Sequence, residues 1–364
     1  MRSLAHILFV AVIFTACDTD TDILGKMNDF DQGPMLENFA DDLILPAYQN
    51  LAEQTASLQS DMEAFTSEPT LDLLTDVRVS LKAARLAWQD CAAFQFGPAE
   101  ANNLSGILNI YPVDTRQIEQ NISSGSYDLR TLANADARGF QALGYLLYSE
   151  DLSDEELIAS LSANRTQYMD NLAAQIAEVS ATVLAEWSAE GDNYQAQFTS
   201  ESSFGVDVGS SVSKMVNALN LNFERNTRDG KVGIPVGIRS LGEPVLHAVE
   251  AYYAGYSVEL LNANLQAYYQ LYTGGEGTGF DDYLKGIEAT TTENEDLADR
   301  IDQQFQVVLS AAAQLQDPLP AQIQSNKEAV EHLFAQMQQL VVLFKTEMAS
   351  SMGVVITYQD NDGD

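Results

Sequence analysis

Histidine is nearly missing from this chain: 3 in 364 residues, at His6, His247 and His332. Hydrolytic zinc sites normally take three protein ligands, commonly two of them His. The sequence has no His-Glu-x-x-His, and so few His residues leave no basis for a Ser-His-Asp or Cys-His arrangement. Cysteine is scarcer still. Cys17 and Cys91 are the 2 present, too few for a disulfide framework or a Cys-based zinc site. Cys91 follows Asp90 in an apolar stretch, a setting that raises a thiol pKa and suits a packed residue. Basic residues are few as well: 18 Lys+Arg against 53 Asp+Glu, a formal net charge of −35. Such a surface repels phosphate backbones, so no nucleic-acid partner is expected. It also disfavours attachment to anionic headgroups, while favouring solubility and the attraction of cations. The 9 prolines and rare β-branched runs argue against an all-β fold. No Walker or dinucleotide glycine motif is present, and beyond the N-terminal stretch no segment is apolar for long enough to span a bilayer.

What is present begins with 46% hydrophobic residues, enough for a full core, in a chain long enough for two domains of roughly 150 residues each. Residues 1–16 read as a signal peptide: Arg2 supplies the positive end and Leu4 to Phe14 the apolar stretch. Phe14-Thr15-Ala16-Cys17 resembles a bacterial lipobox, although Phe14 stands where Leu is usual. Cys17 would be lipidated and become the new N-terminus. Residues 17–34 then form an acidic tether. Its Asp18, Asp20 and Asp22 resemble the surface-export signal of Bacteroidetes lipoproteins, and they suit an ordinary disordered leader equally. The implied location is the cell envelope, with the chain lipid-anchored to the outer membrane on its periplasmic or surface face.

From Met35 the signal is helical. Leu36 to Thr66 is one candidate, with a kink expected at Pro46. Leu71, Leu74, Val77, Leu81, Ala84 and Trp88 form one apolar stripe. Ser153-Asp154-Glu155-Glu156 has the form of a capping box opening a helix toward Glu190. Further helices are expected over Glu243–Tyr272, ending at Gly274-Gly275, over Glu293–Gln316, and through the stripe from Leu333 to Met348. Gln95–Gly125 and Arg228–Gly242 are punctuated by Gly and Pro and read as long loops, which are often functional. A soft boundary near Gly191–Val206 divides an N-terminal bundle, 35–195, from a C-terminal bundle with an acidic tail, 196–364. The fold class expected is all-α.

Several segments together resemble the imelysin-like family, also called the M75 peptidase family. They are Ala87-Trp88 with Phe94 to Ala99, Ile110 to Asp114 with Ile118-Glu119, and Arg138 to Tyr148. Lys231 to Gly237, Val249 to Tyr253, Gly279 to Leu284 and Thr357 to Asp364 complete the set, in order along nearly the whole mature chain. The flavour is that of the Bacteroidetes lipoprotein branch. The resemblance implies two helical bundles, a cell-envelope location and a link to iron uptake. It departs at the family's hallmark, Gly-x-His-x-x-Glu. Gly139 is kept, but Gln141 and Gly144 stand at the His and Glu positions. A carboxamide is a poor transition-metal ligand and no general base near neutral pH. Metal binding and proteolysis are therefore not carried over, and no catalytic residue is assigned.

The expected reading is a non-enzymatic envelope protein that binds a ligand or partner in nutrient acquisition, plausibly iron uptake. Outer-membrane iron-uptake proteins are its candidate partners. Gln141, Gly139, Gly144, Trp88, Asp114 and Glu250 are expected to bound a cleft. Gly144 would widen it, and the buried Gln141 amide should find partners. An alternative is a metallopeptidase with a relocated site, since His247-Ala248-Val249-Glu250 would put His247 and Glu250 on one helix face. A structural partner of an outer-membrane transporter is another. No cofactor is assigned; iron is the candidate. Tyr252, Tyr253, Tyr256, Tyr268, Tyr269 and Tyr272 crowd one predicted helix; their oxygens would suit ferric iron, and their rings would suit packing. Asp360, Asp362 and Asp364 resemble half a calcium loop, but the chain ends before the closing Glu, so an acidic tail is the better reading.

Overall fold

The computed structural model describes residues 30–358. The signal peptide, Cys17, most of the tether and the Asp360–Asp364 run lie outside those residues. Among the described residues the chain is all-α: helices throughout, no strand, and one isolated bridge between Thr290 and Asp296.

The first half is organised by three long helices: α1 (Leu45–Ser67), α2 (Leu71–Cys91) and, later in the chain, α5 (Ala163–Trp187). α1 buries Tyr48, Leu51, Leu58, Met62 and Phe65, a stripe at helical spacing that lies on both of its neighbours. α2 answers with Leu74, Val77, Leu81, Ala84 and Trp88, the residues expected from the sequence, while Leu71 is left exposed. Each such aliphatic side chain taken out of water stabilises the fold by about 1.5–3 kcal/mol. Between α2 and α5 run α3 (Thr115–Ser124) and the short apolar α4 (Gly139–Leu147), which packs on both.

The second half is a bundle of α6 (Ser211–Leu221), α7 (Ser257–Thr273), α8 (Leu297–Ala312) and α9 (Lys327–Val342). Phe223, Tyr272, Phe305 and Phe344 meet at its centre. The halves share one hydrophobic core, and α2 packs directly on α7. The segment before α1 crosses over: Phe39 packs on Phe280, and Asn38 donates to the Gly274 and Thr278 carbonyls.

Five local expectations are corrected. Gln95–Gly125 is not one long loop, since it holds the short helices Pro98–Ala101 and Leu104–Leu108 and then α3. Pro46 does not kink a plain α-helix. It follows a π-helical stretch, Phe39–Ile44, and sits in the first turn of α1, where its missing N–H and fixed ring are tolerated. The capping box at Ser153 forms, but its helix stops at Ala159 and Ser162 starts α5 afresh. Arg228–Gly242 is not simply a loop, because α6 continues as a π-helix from Asn222 to Gly233 and the chain leaves helix only after Val236. The flat Gly233 side of that segment lies against the Phe334 ring, so glycine serves packing there and not chain reversal. Finally, 243–256 is not α-helix. A single turn at Leu246–Ala248 is followed by extended Val249 and a left-handed Ala251, and α7 begins only at Ser257.

Candidate functional site

Where α2, α4, the π-helix and the 249–256 turn converge, polar side chains are buried together. Glu250 is 2% exposed. One of its oxygens accepts from Asn109 Nδ2 at 2.7 Å and Gln89 Nε2 at 3.1 Å. The other takes the Lys231 ammonium. Lys231 also donates to Gln89 Oε1 at 2.8 Å. Burial alone would push the Glu250 carboxyl up. The Lys231 charge and the hydrogen bonds from Lys231, Asn109 and Gln89 outweigh that and hold it below the usual carboxylate range.

Gln141 belongs to the same network. Its Nε2 donates to Asn109 Oδ1 at 2.9 Å, and its Oε1 accepts from the Ala251 N–H at 3.0 Å. Arg85 lies behind it, 1% exposed. The guanidinium donates to the Phe140 carbonyl at 2.5 Å and to the Tyr256 hydroxyl at 2.9 Å.

Two hollows flank this network and share a wall made by Tyr111 and Pro112. The larger, about 440 Å³, is lined by Trp88 and Asn109, by Arg225 and Lys231 of the π-helix, and by Asn264 of α7. The smaller, about 230 Å³, is lined by Gln141, Thr115, His247, Tyr252 and Tyr253. Desolvation, and then the Glu250 charge, push the Tyr111 phenol well above its ordinary range and keep it a neutral hydroxyl.

Of the residues expected to bound one cleft, Gln141 lines the smaller hollow, Trp88 the larger, and Glu250 lies in the network and lines neither. Asp114 lines neither hollow. It caps α3, accepting from the Arg116 and Gln117 N–H groups at 3.0 and 3.2 Å. Gly144 does not widen a cleft, because a Cβ there would meet Arg85 Nη2 at 2.6 Å; the guanidinium already fills that space. Gly139 is required by the backbone. Its φ is +73°, and a Cβ would fall 2.4 Å from the Leu108 carbonyl oxygen.

His247 and Glu250 do not share a helix face, since Val249 between them is extended. His247 is exposed, whereas Glu250 is buried in its ion pair. The tyrosines split in the same way. Tyr252 and Tyr253 line the smaller hollow and Tyr256 meets Arg85, while Tyr268 and Tyr272 pack among the rings of the second bundle.

Among the described residues no group of three His, Cys, Asp or Glu side chains is placed to hold a metal ion. With one carboxylate already neutralised by an ammonium and a carboxamide beside it, this donor set does not fit a metal. Sequence reasoning passed over Arg85, Gln89, Asn109 and Asn264. The signal for the first two was available: polar residues four apart on α2, directly beside its apolar stripe.

An all-α chain with a buried polar seam between two helical layers defines a class of helical-bundle proteins. The imelysin model (peptidase M75) matches residues 44–346, and the chain belongs to that family. Iron-regulated protein A of Synechococcus elongatus is 24% identical over 166 residues, 45% of this chain and 44% of that protein, so the match spans less than half the relative's length. Two crystal structures share the fold. A candidate iron-regulated protein A precursor from Parabacteroides distasonis superposes with a TM-score of 0.73 at 16% identity, covering 90% of this chain and 95% of the other. An imelysin-like protein from Psychrobacter arcticum gives 0.67 at 19% identity, covering 96% and 100%.

Proposed function

We propose that this protein is a non-enzymatic, lipid-anchored component of the cell envelope that binds a ligand in nutrient acquisition, with iron uptake as the process served. The observation that carries the non-enzymatic part is the state of the hallmark region. Gln141 spends its amide on Asn109 and Ala251, and Glu250 spends both oxygens on Lys231, Gln89 and Asn109. Neither is left to activate water or to polarise a peptide carbonyl. The hollows beside them support a binding role, because small-molecule sites are concave and mostly preformed. The link to iron rests on family membership and on the name of the Synechococcus relative. The anchor rests on the lipobox-like run ending at Cys17. Outer-membrane iron-uptake proteins are the proposed partners.

Two measurements test this reading. The purified mature protein, given zinc, ferrous iron or calcium and an unfolded protein substrate, should show no cleavage above the metal alone. Its level in cells should rise on iron limitation. Metal-dependent cleavage that is lost in His247→Ala would overturn the non-enzymatic assignment. A level indifferent to iron would overturn the assigned process.

A further inference from the structure

We propose that the 440 Å³ cavity beside Trp88 binds a small organic carboxylate with an apolar body. The inference rests on the reading above that the protein binds a ligand, and names that ligand's chemistry.

The first observation is charge. The chain carries 53 acidic side chains against 18 basic ones, yet no Asp or Glu lines this cavity, while Arg225 and Lys231 both do. A bare metal cation would find no anionic oxygen in the lining. Lys231 is already paired with Glu250 behind the lining and the Asn109 amide is bonded to Glu250 and Gln141, so an anion meets the positive side chain of Arg225 and the amide of Asn264.

The second is an unmet hydrogen bond. Asn264 on α7 is fully buried. The Thr227 hydroxyl donates to its Oδ1 at 2.7 Å, which orients the amide and leaves Nδ2 with no acceptor in the protein. A buried donor in that state is destabilising, and a ligand oxygen accepting from it would offset the loss. The lining also has an apolar part, made by the Trp88 indole with Ile110, Pro112 and Ile234. The lining thus offers polar groups that suit a carboxylate and apolar surface that suits a ring or short chain. The volume lies within the roughly 300–1,000 Å³ usual for small-molecule sites. The wall bearing Arg225, Thr227 and Lys231 is π-helical, a form that recurs at functional sites.

The carboxylate could belong to a free organic acid or to the C-terminus of a short peptide. Calorimetry and Trp fluorescence on the full mature chain separate them, using phenylacetate, octanoate and the dipeptide Ala-Phe as probes. Phenethylamine and the amidated dipeptide serve as controls. We expect at least one carboxylate to bind and to perturb Trp fluorescence, with neither control binding. Phenylacetate or octanoate alone assigns a free acid; Ala-Phe alone assigns a peptide terminus.

Asn264→Leu should weaken the bound probe by about tenfold or more. Because that residue is buried, Asn226→Asp provides a second variant. It places a negative charge at an exposed position of the lining, and should weaken binding similarly with unchanged thermal unfolding. Failure of all three carboxylates, binding of phenethylamine as tight as that of phenylacetate, or indifference to both variants would overturn the inference. Carboxylate binding in a protein whose level ignores iron would leave this inference standing and sink the proposed process. Iron-responsive expression without carboxylate binding would do the reverse.

Discussion

Lys231 and Glu250 form a buried ion pair between the π-helical continuation of α6 and the turn that precedes α7, with Gln89 of α2 bonded to both members. Gln89 and Asn109, bonded to this pair, tie the first helical layer to the second. Removing one member leaves an uncompensated charge in the core. Lys231→Met or Glu250→Leu should each lower stability by about 3–5 kcal/mol in urea unfolding. The double variant should recover most of that loss. A double variant as unstable as the sum of the singles would contradict the pairing.

The same pair sets an acid limit. The folded Glu250 carboxyl is held below its unfolded value, so the stability it confers is complete above the unfolded pKa of about 4.3 and is lost as pH falls through the folded one. Asp154 is held low by its hydrogen bonds to Arg78 and acts in the same direction, more weakly because it is largely exposed. Stability should therefore fall on acidification below about pH 4, less steeply in the Lys231→Met/Glu250→Leu double variant. An identical acid slope in both proteins would refute the assignment.

The two glycines of the hallmark segment should answer differently to alanine. At Gly139 the obstacle is the Leu108 backbone carbonyl and φ is positive, so neither neighbour nor backbone can yield. At Gly144 the obstacle is the end of the Arg85 side chain. Gly139→Ala should cost about 3 kcal/mol or more, and Gly144→Ala about 1–3 kcal/mol. Chemical denaturation gives the order, and a reversed order would count against the packing described.

Gln141→Ala would leave the Ala251 N–H and the Asn109 amide oxygen without their partner. Each orphan costs about 1–3 kcal/mol unless water enters from the smaller hollow. We expect a destabilised but folded protein, with Ala251 N–H exchange accelerated in hydrogen-exchange measurements. Unchanged exchange at Ala251 would remove Gln141 from the network.

Cys17→Ser tests the anchor. The variant should move from the membrane fraction to the soluble fraction of cells. Membrane partition equal to that of the unaltered protein would rule out lipidation at Cys17.

The sequence by itself determined the helical class and the main stripes. Leu74 to Trp88 and Leu333 to Met348 repeat at three and four, and any helix carrying them must bury that face. It also showed that the hallmark's His and Glu positions hold Gln141 and Gly144, of which a carboxamide is a poor transition-metal ligand. Tertiary structure alone decided where helices paused and which polar residues met. Pro46 and the 222–233 segment stay helical through π geometry that no periodicity announces. Residues 243–256 leave helix despite a helical pattern, and there Glu250 turns inward to Lys231 while Ala251 presents its N–H to Gln141. Arg85 fills the space beside Gly144 from 59 positions earlier in the chain. Side chains so far apart in sequence leave no local trace of their contact. Their meeting is set by how the helical layers pack, and so is the cavity that Asn264 shares with Trp88.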